Sequence, residues 1–483
     1  MTRRTIRGVM WIAVAVLPAL AWPNSAQAQQ GPRVVSMRVH PAAEPSPALK
    51  YTLLPELIDR EKGDAVPLYY IAMEQIQEPE DDAGRSLSEQ VGDWLGLSVE
   101  ALPREEVRAV LDRNRRALQY VELAAVRETA QWETAIRVEG VNALLPSLSR
   151  YRTLAKLLAL RARLEIAEGR FDDAIGSVRL GYSMAKQVGE SNATLIGALV
   201  GAAVADLMTD QLVLLVQQPG APNLYWALAC LPRPVVDFRD GWEAEKSIVL
   251  FSVPKLAAFA RGERLSADEL RTLMSDVSAL VLSGGVGHPE GQKQAWNERV
   301  AAAAFAVVQY PRAKQYLRGR GFSEAEVEAM PVQEVVLRYQ FDSYLTLRDN
   351  VFKCMGLPFW QANERVRAAE TQIAAEAARN PGGLPFLNLL PSLSRARFIE
   401  ARCTRHVAMV QAVEALRIYA ASHDGKMPAS LDELGPIPVP INPVTGRAFD
   451  YRLENDVATL EQTALPGQEP REGIRYEITM LRE

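Results

Sequence analysis

Four histidines (His40, His288, His406, His423) and three cysteines (Cys230, Cys354, Cys403) are the side chains best suited to nucleophilic or metal chemistry in this 483-residue chain. Neither His-Glu-x-x-His nor Cys-x-x-Cys occurs, so zinc chemistry has no sequence signature. Cys403 and His406 stand three apart, which offers two ligands from one helix face; two are not the four a zinc site takes, and core packing is the favoured reading. His423 falls in the turn after the same helix, where an imidazole suits the negative C-terminal end of the dipole. A glycine-rich stretch, Ser283–Gly291 with Lys293 behind it, lacks the Gly-x-x-x-x-Gly-Lys-Ser/Thr order that cradles phosphate, and no Gly-x-Ser-x-Gly elbow exists. Glu243 and Glu245 precede Lys246, and pairing with Arg239 or Lys246 is expected to occupy them. Tyr225 and Trp226, with Arg233 in the corner Leu231-Pro232-Arg233-Pro234, are the candidate ligand-binding residues, because aromatics beside prolines and a cation can line a groove. The favoured reading of these three is nonetheless a packed corner between helical layers. No catalytic residue is assigned, and no cofactor or metal is implied.

The elements that position these residues begin with an export signal. Met1–Gly8 carries three positive charges and no acid, and Val9–Ala21 is apolar over 13 residues, short of the ~20 that span a bilayer. Ala26-Gln27-Ala28 is a small-x-small cleavage pattern, so cleavage is expected between Ala28 and Gln29. Arg3-Arg4 leaves both general and twin-arginine export open. Losing this leader leaves 51 basic against 59 acidic residues, a net charge of −8. That balance argues against nucleic-acid binding. Three cysteines are too few for a disulfide framework; one bridge with an odd thiol is allowed, and three buried thiols is the favoured reading.

Four segments are expected: the signal peptide at 1–28, a Pro-rich lead-in and first segment at 29–87, a helical domain at 88–385, and a C-terminal helix with a small antiparallel sheet at 386–483. The lead-in to about Pro47 reads as flexible chain, and Glu78–Gly84 as a solvated acidic turn. Phe171, Ala174, Ile175, Val178, Tyr182 and Ala185 form one helical stripe. The preceding helix, over 150–168, ends at Gly169, and Asp172 and Asp173 open the next. Asn192–Val216 is apolar almost all round, with Gly197 and Gly201 four apart and Asp206 and Asp210 interrupting it. This reads as a core helix rather than a membrane span, and no span is expected in the mature chain. Leu144–Arg150 recurs as Leu389–Arg395, two similar helix openings.

The segment Ala162–Ile175, with its Gly169 turn, Phe171 and Ala174, resembles one tetratricopeptide helical hairpin; no second copy stands at 34-residue spacing. Near the end, a long helix from Ala396 to about Ser422 is expected, then a turn through Asp424-Gly425-Lys426-Met427-Pro428. A hairpin of Phe449–Leu453 and Val457–Leu460 follows, and a last strand with Ile474, Tyr476, Ile478 and Met480 on one face. The run Leu416–Tyr419, Asp424–Pro428, Leu431–Leu434, Pro440-Ile441-Asn442-Pro443 and Gly446–Tyr451 resembles the soluble part of type II secretion pseudopilins. It departs where Asn442 replaces the usual aspartate and where the methylated apolar N-terminal helix is missing. Over most of its length the chain is also similar to uncharacterised exported proteins typical of planctomycete bacteria, through Asn223–Leu228, Leu231–Pro234 and Ala329–Val332. The periodicities predict a mainly α protein, a multi-helix, solenoid-like domain followed by a small α+β module with a long helix and antiparallel sheet. The leading functional expectation is a non-enzymatic scaffold in the periplasm or outside the cell, with other envelope proteins as partners. An exported hydrolase using carboxylates, or a secretion accessory, are the alternatives.

Overall fold

A computed structural model describes residues 31–481 except 79–83, 144–146, 264, 283–291, 380–385, 387–392 and 467. The leader with its Ala28–Gln29 junction, the glycine-rich stretch 283–291, most of the acidic turn, and the first residues of both repeated helix openings lie outside the described residues. Among those described, the protein is mainly helical, with seventeen α-helices and six strands.

The N-terminal part runs β1 (Arg33–Val39), β2 (Glu61–Asp64), α1 (Val66–Glu74), α2 (Leu87–Leu95), α3 (Arg104–Arg113), α4 (Arg115–Ala125), β3 (Arg127–Thr129) and the short α5 (Ile136–Glu139). Strands β2 and β3 pair in parallel, which places the N-terminus of α1 beside the end of α4. Next come α6 (Leu148–Ala167), α7 (Phe171–Gly189) and α8 (Leu195–Leu215). The turn between α6 and α7 closes as expected. Gly169 adopts φ +74°, its amide donates to Ile166 O at 3.0 Å, and the Arg170 amide donates to Glu165 O at 2.9 Å. Those two bonds satisfy carbonyls that a helix end otherwise leaves open. Thr194 caps α8 by accepting the Gly197 amide at 3.0 Å. Glycine is required where α7 and α8 cross: a Cβ on Gly201 would lie 2.5 Å from Ala185 O. Helix α8 is long and apolar enough to cross a membrane, and here it is buried between α6, α7 and the last helix.

After α9 (Tyr225–Ala229) a second layer begins with α10 (Arg239–Ser252), α11 (Lys255–Ala260), α12 (Ala267–Leu282), α13 (Gln292–Gly319), α14 (Glu324–Glu328) and α15 (Val332–Phe352). It packs around its own apolar clusters, one centred on Leu273, Phe341, Tyr344 and Phe386, another on Ala313, Leu317 and Val336. Then α16 (Phe359–Arg379) leads to α17 (Leu393–Ser422), the longest helix described. Helix α17 is buried over most of its circumference because α8 and α9 cover one side and the sheet another. The long helix and the sheet share one apolar core with α6–α8.

The sheet holds β4 (Asp450–Glu454), β5 (Val457–Gln462) and β6 (Ile474–Met480) in the order β1-β6-β5-β4. The hairpin is where the sequence puts it. Asn455 and Asp456 both have positive φ, the two-residue primed turn whose twist matches paired strands. Ile474, Tyr476, Ile478 and Met480 all face inward. One expectation is corrected: residues 33–39 are not flexible chain but strand β1, paired in parallel with β6 over its whole length. Met37 and Val39 are buried there, and that apolar gain outweighs the lead-in's turn-rich composition.

Candidate functional site

Tyr225 opens α9 under the long helix. Its ring meets Trp226 edge-on with centroids 4.9 Å apart. The Tyr225 hydroxyl donates to Pro438 O, the Trp226 indole donates to Glu44 Oε1 at 2.5 Å, and the Arg233 guanidinium donates to Gln411 Oε1 on α17. Burial raises the Tyr225 hydroxyl above its ordinary range and lowers the Arg233 guanidinium below its own. The three candidate residues are brought to one corner, each with a partner inside the protein. Behind them is a pair that the sequence reading passed over. Glu414 and Arg417 are wholly buried, 2.8 Å apart. Glu414 also accepts the Asn223 side chain at 2.7 Å and the Leu224 amide at 3.1 Å. Arg417 donates to His40 O at 2.9 Å and to Ala221 O at 2.8 Å. Burial pushes the Glu414 carboxyl up while Arg417 pulls it down, with a net rise. The pair binds the lead-in and the α8–α9 connection to α17.

Cys403 and His406 both meet Asp206 on α8, and no third ligand joins them among the described residues. Cys403 is buried, which pushes its thiol well up and makes it a poor nucleophile. His406 turns to α8, with Nδ1 3.5 Å from Asp206 and Nε2 3.8 Å from Asp210. Burial raises the Asp206 carboxyl, but the His406 hydrogen bond and Arg402, 3.3 Å away, bring it below the usual range. The signal in the sequence was the spacing of Asp206 and Asp210 on an otherwise apolar helix. No grouping of three metal-ligating side chains exists among the described residues. His423 caps as expected: Nδ1 lies 2.8 Å from Tyr419 O, and its ring stacks on Tyr419. Glu243 pairs with Lys246 at 3.1 Å. Two expectations are corrected. Arg239 pairs with Asp237 instead, while Glu245 forms no ion pair among the described residues and burial pushes its carboxyl up to about 7. Cys230 is exposed rather than buried, and all three thiols are free.

An open cleft of about 590 Å³ lies where the C-terminal ends of α4 and α7 meet β3 and the turn at Pro55. Its floor is closed by internal bonds. Gln187 Nε2 donates to Ala124 O and Arg127 O, both at 3.1 Å, Ser183 donates to Ala125 O at 2.5 Å, and the Trp132 indole donates to Gln187 O at 2.9 Å. The carbonyls of two helix ends are thereby already occupied. The walls carry Arg60, Arg127 and Lys186 against Glu128 and Glu190. Lys186 is 2.5 Å from Glu190, and Arg127 is 3.2 Å from Glu61. Arg60 donates only to Pro55 O, at 3.2 Å, and has no acidic partner among the described residues. Sequence reasoning missed this cleft because its residues come from four separated stretches. A smaller recess of about 380 Å³ lies between α13, α15 and α16; there Arg312 is held by Glu376 at 2.7 Å and Tyr316 by Asp342 at 2.7 Å. No protein-family model, curated protein or solved structure matches the chain.

Proposed function

We propose that this chain is a non-enzymatic exported protein of the cell envelope that acts as a helical interaction scaffold, with the cleft at α4, α7 and β3 as its contact site. The observation that carries this reading is the contrast between that open cleft and two polar clusters closed inside the protein. Glu414–Arg417 and the Tyr225 corner have their partners within the protein, which is what interior polar groups require. The cleft instead opens to solvent, has the volume of a ligand site, and presents Arg60 with no ion-pair partner among the described residues. In this reading α6–α7 is a tetratricopeptide-like hairpin that supplies the cleft wall, and α17 with its sheet is a pseudopilin-like module that anchors it.

Affinity capture tests the proposal. The tagged wild-type protein and an Arg60→Glu variant are exposed to solubilised envelope proteins under identical conditions. The same partner set should return in replicate captures with wild type and be depleted with the variant. Captures that return no reproducible partner would sink the scaffold reading.

A further inference from the structure

We draw no further inference here: the strongest candidate, the recess between α13, α15 and α16, has Arg312 paired with Glu376, Tyr316 bonded to Asp342 and an arginine already over each of its two tyrosine rings, so nothing in the structure shows what would occupy it.

Discussion

Glu414 and Arg417 are buried charges whose value depends on each being complete. Arg417 reaches three backbone carbonyls besides Glu414, and Glu414 takes three donors. Arg417→Met should therefore destabilise the protein by about 3–5 kcal/mol, because it strands a buried carboxylate. The double variant with Glu414→Leu should recover part of that loss, as read from urea midpoints. Glu245 has the opposite character, a half-buried carboxyl with no ion-pair partner among the described residues, held near 7 against an ordinary 4.5. Its folded form binds the proton more tightly than its unfolded form, so its cost is absent below about pH 4.5, grows as pH rises towards 7, and is complete above that. Glu245→Gln should raise the melting temperature at pH 8, on the order of 2 kcal/mol in stability, and the gain should vanish near pH 4.5. A gain that is the same at both pH values would count against this account. Asp206 works in the other direction: its carboxyl is lowered, so its contribution is present above pH 3.8 and lost as pH falls below that.

At the scale of elements, the crossing of α7 and α8 is set by small residues. Gly201→Val should cost about 1–3 kcal/mol by pushing the new side chain into the Ala185 carbonyl and the Gly189 backbone, measured as a lowered thermal midpoint with unchanged helix content. Periodicity made these helices legible. The Phe171 stripe, the Gly169 turn and the α17 stripe are all local patterns. The hairpin at Asn455-Asp456 was legible for the same reason. Strand β1 was not, because its partner is some 440 residues away in sequence and the segment itself is short and bounded by turn residues. The cleft was illegible on the same ground: Arg60, Arg127, Trp132 and Lys186 acquire meaning only when β2–β3 pairing brings their segments together. The aromatic corner was located correctly as a place where layers meet, but sequence could not say that Pro438, Glu44 and Gln411 would take up its polar groups.

For the whole molecule, the parallel pairing of β1 with β6 joins the two ends of the described chain. Arg417 reinforces the join by holding His40 O just beyond β1. Removing residues 31–40 should leave β6 as an edge strand and strip Arg417 of one acceptor. Hydrogen exchange of the β6 amides should then accelerate markedly while α6 and α7 keep their protection. Equal acceleration in α6 and α7 would mean the strand supports the whole fold rather than the sheet. A chain built from its N-terminus makes β1 first and its partner last. Closing a loop of that length costs about 5 kcal/mol in configurational entropy beyond a constant, so the strand stays unpaired until Ile474–Met480 has been made. Any product that stops short of Ile474 carries Val34, Val35 and Met37 on an open edge, which makes truncated or stalled chains the aggregation-prone species and β6 the element that retires that hazard.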